Sequence, residues 1–230
     1  MKTVKFVFFD LWKTLTTSHC REPVYNVQRA LGVGVELRDG QEVNFTPDDA
    51  FLRHCLTTNI SDRRRFAEAA ANKFGGSVDD ERMTAINKVL DAETKCVAEF
   101  YDVRKTLEAL RAHGLPLGII SNLWAFPVPH IFEASHGLGE FFPRDHRVYS
   151  FESGHRKPEP EIFLDALQRV GLEPEDVLMV GDNLQADCVG ARSIGMQAAL
   201  IDREHLLKQE DMPMGIIHLS ELTELVPMLT

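Results

Sequence analysis

Three short apolar segments of the sequence each run directly into polar residues that could do chemistry. The first segment ends at Asp10, the second at Ser121-Asn122 and the third at Gly181-Asp182. Short apolar runs of this kind are typical of strands that are buried on both faces. The carboxyl ends of parallel strands meet at one edge of a sheet, where open α/β sheets gather their ligands. We therefore expect Asp10 and Asp182 to be neighbours.

Two adjacent carboxylates predict a cation site at this edge. Like charges repel each other and raise a carboxyl pKa unless a cation neutralises them. Oxygen ligands favour a hard ion such as Mg²⁺, and Asp187 lies five residues after Asp182. Lys157 lies between the second and third segments. A fixed cation beside a nucleophilic carboxylate would counter the repulsion that an anionic substrate meets.

The elements that must position these residues alternate between strand and helix beyond Tyr101. Apolar strand segments lie at residues 115–120, 147–150, 177–180, 198–201 and 216–217, and helical stripes begin at residues 103, 161 and 184. Alternation of this kind predicts an α/β fold with a doubly wound parallel sheet.

The long stretch between the first strand and this alternation has a helical pattern. We predict helices at 22–31, 48–56 and 61–74, another from residue 79 or 80, and a loop or short hairpin at 33–47 with Asp39-Gly40 as its turn. Ser61 is the predicted N-cap of the third helix and Gly75-Gly76 its stop. Because this block follows the end of the first strand, it should lie over the site like a lid.

Composition and charge narrow the function classes. The chain has 230 residues, 35 acidic against 25 basic, and a formal net charge of −10. This balance argues against a general nucleic-acid or anionic-membrane surface, and no apolar run approaches the roughly 18 residues of a membrane span. Asp10 cuts the first apolar run short of a signal-peptide core.

The cysteines favour a reducing compartment. Cys20, Cys55, Cys96 and Cys188 are far apart and form no Cys-x-x-Cys pair. Reduced thiols are therefore expected rather than a disulfide framework or a zinc site. The sequence predicts a cytoplasmic protein.

At this point the sequence resembles the haloacid dehalogenase-like hydrolase superfamily. Its four motifs are matched in order by residues 10–15 (Asp-Leu-Trp-Lys-Thr-Leu), residues 119–122 (Ile-Ile-Ser-Asn), residues 157–163 (Lys-Pro-Glu-Pro-Glu-Ile-Phe), and residues 180–183 (Val-Gly-Asp-Asn) with Asp187. The resemblance implies a Rossmann-like core of residues 1–15 and 100–230, with an all-helical cap domain, residues 16–99, inserted after the first motif. It also implies a small, phosphorylated substrate and a monomer or homodimer.

The resemblance implies a role for each matching residue of the substrate site. Asp10 would attack the substrate and form a covalent aspartyl intermediate. Ser121 and the backbone of Asn122 would hold the oxygens of the transferring group. Lys157 would stabilise the nucleophile and the transition state, and Thr14 would fix the loop after the first strand.

The family's metal site would also be present. Asp10, the backbone carbonyl of Trp12 and Asp182 would bind Mg²⁺, and Asp187 would support that cluster. The side chain of Trp12 would lie against the substrate.

Trp12 is the main departure from the family's phosphatase pattern. Phosphatases of this superfamily usually have a second aspartate at this position, which protonates the leaving group and later activates water. An indole N–H cannot shuttle a proton at neutral pH, and general acid–base help is worth roughly 10²–10⁴-fold, or about 3–5 kcal/mol of barrier. Lys13 is a smaller departure, because the family often has Gly or Asn there. A turn with positive φ would strain Lys13.

Three functions stay open at this stage. The first is a metal-dependent phosphatase or phosphotransferase that prefers leaving groups needing no proton, such as those of acyl phosphates or anhydrides. The second is a 2-haloacid dehalogenase-type hydrolase, since those enzymes carry an aromatic residue at this position and halide leaves without a proton. The third is a non-catalytic descendant that binds a ligand or a partner through the capped cleft, with Trp12 partly filling the pocket.

Overall fold

Strands and helices alternate along most of the chain in the computed structural model, which describes residues 3–18, 22–95, 97–134, 137–208 and 212–229. The strands are β1 (Phe6–Phe9), β2 (Thr16–Ser18), β3 (Val35–Arg38), β4 (Gln41–Phe45), β5 (Val97–Glu99), β6 (Leu117–Ser121), β7 (Arg147–Tyr149), β8 (Val177–Gly181), β9 (Gln197–Ile201) and β10 (Ile216–Leu219). The helices are α1 (Pro23–Ala30), α2 (Asp49–Leu56), α3 (Arg63–Phe74), α4 (Asp80–Lys95), α5 (Val103–Ala112), α6 (Ser150–Ser153), α7 (Pro160–Val170), α8 (Gly190–Ser193) and α9 (Val226–Leu229).

Six strands form one sheet in the order β10-β9-β8-β1-β6-β7. All of its pairings are parallel, which confirms the predicted doubly wound α/β core. The central strand β1 is buried along its whole length. Val7 and Phe9 pack into the cluster that includes α5, and Phe6 and Phe8 pack into the cluster that includes α7. The apolar run before Asp10 is therefore explained by helices on both faces of the sheet.

The residues between β2 and β5 form a separate layer, which we call the insert (residues 22–95). Helices α1 to α4 enclose a buried cluster of their own, which includes Phe51, Phe66 and Ile86. Asp62 caps α3 by accepting from the Arg65 N–H at 2.8 Å. The predicted Ser61 cap is wrong by one residue, because the carboxylate of Asp62 reaches the free N–H group first.

A two-stranded antiparallel hairpin, β3–β4, accompanies these helices. Asp39 and Gly40 both have positive φ, 52° and 77°, as a tight hairpin turn requires. The insert thus differs from an all-helical unit, and the hairpin alternative for residues 33–47 is confirmed. The apolar alternation of the two strands is short, Val35 with Leu37 and Val43 with Phe45, and both strands are largely exposed, so it marked them only weakly.

A short antiparallel ribbon carries both connections between the insert and the sheet. β2 pairs with β5, with Thr16 opposite Glu99 and Ser18 opposite Val97. The backbone N–H of Phe100 donates to the carbonyl of Leu15 at 3.1 Å and extends this pairing toward the core. The chain therefore leaves and re-enters the core at one place, beside the end of β1.

Neither a membrane helix nor a disulfide involving the described cysteines is found. No helix in the described ranges is long and apolar enough to cross a membrane. Cys55 and Cys188 are buried free thiols, as predicted, while Cys20 and Cys96 lie outside the described residues.

Candidate active site

Asp10 lies where the central strand ends. Its backbone N–H donates to the carbonyl of Val180 on β8 at 2.8 Å, which brings the ends of β1 and β8 side by side. The carboxylate is 6% exposed, and Nζ of Lys157 donates to its Oδ1 at 2.5 Å. The expected approach of the first and fourth motifs is confirmed by the backbone contact between Asp10 and Val180.

Lys157 is fixed at both its side chain and its backbone. Its ammonium also donates to the carbonyl of Ile120 at 2.7 Å and lies 2.6 Å from Oδ1 of Asp187. Its backbone N–H donates to Oδ1 of Asn122 at 2.8 Å, and Nδ2 of Asn122 donates to its carbonyl at 3.0 Å. The Asn122 side chain thus holds the third motif against the second.

Asp182 and Asp187 follow strand β8 and belong to the fourth motif. Asp187 lies in a π-helical turn, Leu184–Val189, and its Oδ2 accepts from the Asn183 N–H at 2.9 Å. A Cβ on Gly181 would lie 2.2 Å from that same oxygen, so only glycine fits here. Carboxylate oxygens of Asp10, Asp182 and Asp187 can lie within 4.8 Å of one another.

The electrostatics of this cluster show an incompletely compensated negative charge. Burial raises the pKa of Asp10 to about 6, Lys157 opposes this, and the charge of Asp187 adds to it. Burial also raises the pKa of Asp182 to about 7, with the charges of Asp10 and Asp187 adding to the shift. Burial lowers the pKa of Lys157, but the two aspartates outweigh burial and the net pKa is raised.

This donor set fits a hard divalent cation. The buried ammonium of Lys157 contacts two of the three carboxylates, those of Asp10 and Asp187, and carboxylate oxygens are the ligands that Mg²⁺ prefers. The raised pKa of Asp182 is the shift expected when acidic groups are buried together without a metal ion. The chemistry of these residues therefore agrees with the predicted metal site.

Two buried hydroxyl groups lie near the ends of β1 and β6 without a partner. Ser121 and Thr14 are both fully buried. Neither Oγ of Ser121 nor Oγ1 of Thr14 has a hydrogen-bond partner among the residues that the structure describes. A buried hydroxyl without a partner is unfavourable, and an external oxygen atom that accepts from Ser121 would remove that penalty.

The loop after Asp10 is tightly folded. The N–H groups of Leu15 and Thr16 both donate to the carbonyl of Leu11 at 2.9 Å. Lys13 has φ of 60°, so the predicted strain at this position is confirmed. Arg203 donates to the carbonyl of Thr14 at 2.8 Å and so holds this loop from the segment after β9.

A cavity of about 780 Å³ opens between the sheet edge and the insert. Trp12, which is half-buried, and Asp182 line it from the core. Leu52, Leu56 and Glu93 line it from the insert. The cleft is open rather than filled by the indole of Trp12.

The family model of haloacid dehalogenase-like hydrolases matches residues 4–195. The chain belongs to this family. The match contains all four motifs, so the cluster described above lies where the motifs of a haloacid dehalogenase-like hydrolase meet.

Similar proteins of this family include both phosphatases and a dehalogenase. A glyceraldehyde 3-phosphate phosphatase of Methanopyrus kandleri is 28% identical over 206 residues, which cover 87% of this chain and 84% of the relative. An (S)-2-haloacid dehalogenase 2 of Pseudomonas sp. is 26% identical over 220 residues, covering 88% and 86%. The crystal structure of a HAD phosphatase from Thermococcus onnurineus has a TM-score of 0.63 at 26% identity, with 98% of each chain covered.

Sequence reasoning missed two residues of this hydrolase's cleft, Glu93 and Trp124. Nε1 of Trp124 donates to both carboxylate oxygens of Glu93, at 3.1 and 2.9 Å. Trp124 follows the second motif by two residues, which is the one signal that could have drawn attention to it. Glu93 stands in an ordinary helical pattern on α4, where nothing distinguishes it from a solvent-facing glutamate.

Proposed function

We propose that this hydrolase is a Mg²⁺-dependent phosphatase or phosphotransferase with Asp10 as its nucleophile. One observation carries the proposal: the Asp10 carboxylate is held by Lys157 at the sheet edge, within reach of the Asp182 and Asp187 carboxylates. The names of the M. kandleri and T. onnurineus proteins support phosphoryl chemistry for this arrangement.

The proposed reaction has two displacements at phosphorus. A carboxylate oxygen of Asp10 forms a bond to phosphorus while the bond to the leaving group breaks, and the leaving group departs with the electron pair. Water then attacks the phosphorus of the aspartyl phosphate, releases inorganic phosphate and restores the carboxylate. Ser121 and the backbone N–H of Asn122 would donate to the phosphoryl oxygens, and the ammonium of Lys157 would balance their charge.

Asp10, Asp182 and the backbone carbonyl of Trp12 are the proposed metal-binding groups. Asp187 would support them through its contacts with Lys157 and the Asn183 N–H. When bound, Mg²⁺ neutralises negative charge on the transferring group. Because position 12 would contribute its carbonyl, the tryptophan side chain leaves this site intact.

Trp12 restricts the leaving groups. It cannot deliver the proton that an alkoxide leaving group needs. We propose that the enzyme prefers small phosphorylated substrates whose leaving group departs as a stable anion, such as acyl phosphates, anhydrides or activated aryl phosphates. Thr14 would act on the substrate only through the shape of the loop that carries Trp12.

We also propose that the insert acts as a cap. The β2–β5 ribbon supports unit boundaries at residues 16 and 99, which leaves 1–15 and 100–230 as the core. The cleft between the two is lined by side chains from both. Residues of the cap would then contact the leaving group, while the core would contact the phosphoryl group.

The proposal also covers the class of substrate, the compartment and the assembly. A net charge of −10 supports a small-molecule substrate rather than a nucleic acid. The free thiols of Cys55 and Cys188 suit a reducing compartment such as the cytoplasm. A monomer or homodimer stays the prediction for the assembly.

The other two functions have less support. The dehalogenase function is favoured by Trp12 and by the Pseudomonas relative, and it would also use Asp10 as its nucleophile. Against it, the fourth motif, Gly-Asp-Asn followed by Asp187, resembles the version found in the metal-binding phosphatases of the superfamily. The non-catalytic function, binding of a ligand or partner through the cleft, is compatible with a cavity of about 780 Å³ beside Trp12. It gives no chemical role, however, to the buried contact between Asp10 and Lys157 or to the carboxylates grouped around it.

The test is the hydrolysis of acetyl phosphate with and without Mg²⁺. We expect turnover that requires Mg²⁺, stops with a chelator, and is lost in Asp10→Asn. Equal turnover in the presence of chelator contradicts the proposal. Chloride release from 2-chloropropionate without phosphatase activity would establish the dehalogenase function instead.

A further inference from the structure

Apolar side chains line the cleft from both the insert and the core. From the insert, Val24, Leu52 and Leu56 line the cavity, and from the core, Trp12 and Leu123 do so. Such a surface gains free energy by covering an apolar group and has little to offer a hydrated one.

The charged groups that line the cavity are placed unevenly. The core side contributes two basic side chains, Lys13 and Arg203, together with the acidic side chains of Asp182, Asp202 and Glu204. Two nitrogens of Arg203 already donate to Asp102 at 3.0 Å and to the Thr14 carbonyl at 2.8 Å, and Lys13 lowers the pKa of Asp182 against the dominant effect of burial. In the described lining, the basic side chains therefore lie on the core side, where the phosphoryl end of a substrate would be held.

Glu93 is the ionisable side chain that the described residues of the insert contribute to the cavity. It is 3% exposed, and its oxygens accept from the indole of Trp124. Trp124 is itself buried in the apolar cluster of the insert, edge-on to Phe66 and Phe126. No lysine, arginine or histidine lines the cavity from the described part of the insert.

We propose that this region is a leaving-group subsite for an uncharged, apolar group such as an aromatic ring or a branched carbon chain, and that Glu93 excludes leaving groups that carry a carboxylate. The proposal rests on the proposed function, because it assigns the phosphoryl end to the acidic cluster. A carboxylate in this subsite would be desolvated beside an acidic side chain, with no cation from the described insert to pair with it.

Binding can be measured separately from turnover. The sequence contains two tryptophans, and both Trp12 and Trp124 line the cavity. Intrinsic fluorescence therefore reports directly on this region. The probes are phenylphosphonate and 4-carboxyphenylphosphonate, since their carbon–phosphorus bond cannot be hydrolysed by the proposed displacement. They are titrated with Mg²⁺ present at pH 8, above the pKa of about 7 to which burial raises Glu93, so that Glu93 is ionised.

We expect phenylphosphonate to bind at least about tenfold more tightly than its carboxylated analogue. Glu93→Gln keeps an acceptor for the Trp124 indole and removes the charge, so it should narrow this ratio to within about threefold. Leu56→Arg places a cation in the subsite and should reverse the preference. Leu37→Arg is the control, because Leu37 is 63% exposed on the β3–β4 hairpin and should leave the ratio unchanged.

Equal affinity for the two phosphonates, or a ratio that Glu93→Gln leaves unchanged, overturns the inference. Acetyl phosphate has no aryl group, so its hydrolysis reports on the proposed function alone. If acetyl phosphate is turned over while the two phosphonates bind equally, the inference of an apolar leaving-group subsite is wrong and the proposed function stands. If acetyl phosphate is not turned over, the proposed function fails, and the phosphonate ratio still decides whether the region is an apolar subsite.

Discussion

Some residues around Asp10 can be predicted from the sequence and others cannot. Asp10, Asp182 and Lys157 could be predicted from the chain, since each follows or joins a recognisable strand. The partnership between Asn122 and the backbone of Lys157 could not be predicted, because it joins residues 35 positions apart through a loop whose course depends on packing. The strain at Lys13 could be predicted only conditionally, from the Gly or Asn that the family often has there, because the sequence does not show whether the turn needs a positive φ; the structure gives Lys13 a φ of 60°.

Asn122 is expected to act as a positioning residue. Asn122→Ala removes both hydrogen bonds to the Lys157 backbone, at about 1–3 kcal/mol of unfolding free energy. With the ammonium less well placed, kcat should fall by about tenfold or more, with a smaller change in KM. Asn122→Asp retains the acceptor and should give an intermediate kcat. An unchanged kcat in Asn122→Ala would contradict this role.

Glu93 makes stability depend on pH. Burial raises its pKa to about 7 from an ordinary value of 4.5. Between these two pH values the folded protein keeps a proton on Glu93 that the unfolded chain has already released. The contribution of Glu93 is fully present below about pH 4.5 and is lost as the pH rises through about 7. Glu93→Gln should therefore raise the unfolding free energy by about 1–3 kcal/mol at pH 8 and leave it nearly unchanged at pH 4.

Chemical denaturation of the metal-free protein at these two pH values measures the effect. Glu108→Gln, at an exposed position of α5, is the matched control and should show no such pH dependence. An equal change at both pH values in Glu93→Gln would contradict the assignment.

At the scale of elements, periodicity predicted the helices of the insert and the parallel sheet. The ends of β1 and β8 lie side by side, as predicted. The apolar runs before Asp10 and Gly181 form neighbouring parallel strands that are buried on both faces. The hairpin β3–β4 is only one of two predictions for residues 33–47, because each of its exposed strands has just two alternating apolar residues. The pairing of β2 with β5 was not predicted, because each has three residues and their partners are far apart in the chain.

Gly181, the last residue of β8, allows the turn Leu184–Val189 to pack against the end of this strand. Gly181→Ala would place a methyl group 2.2 Å from an oxygen of Asp187 and push that carboxylate away from Lys157. We expect a loss of about 2–4 kcal/mol in unfolding free energy and a kcat lowered more than tenfold.

Gly40→Ala is the comparison for Gly181→Ala. Gly40 has φ of 77° with open space around its Cβ position, so only backbone strain should appear and kcat should be unchanged. Retention of full activity in Gly181→Ala would show that the Asp187 position does not matter.

At the scale of the whole molecule, one ion pair joins the insert to the third motif. Arg53 on α2 pairs with Glu159, which also lies 3.4 Å from Nδ1 of His155. The side chains of Arg53 and Glu159 are partly exposed, so the pair should contribute little to stability. Because it connects the insert to the third motif, we expect its loss to change how the insert is held over the site.

Arg53→Ala should raise KM for acetyl phosphate by about threefold to tenfold while unfolding free energy changes by less than about 1 kcal/mol. Arg64→Ala is the matched control, since Arg64 pairs with Asp80 inside the insert at 2.8 Å and should leave KM unchanged. Similar KM values for Arg53→Ala and Arg64→Ala would contradict a role of the Arg53–Glu159 pair in holding the insert over the site.

The central claim is that the Asp10 carboxylate accepts a phosphoryl group. The most direct measurement is mass spectrometry of the protein quenched in acid during turnover of acetyl phosphate with Mg²⁺, followed by peptide mapping. We expect one added phosphoryl group on the peptide that contains Asp10, and none in Asp10→Asn. Turnover of acetyl phosphate by Asp10→Asn, or a phosphoryl group found on another residue, would contradict the claim.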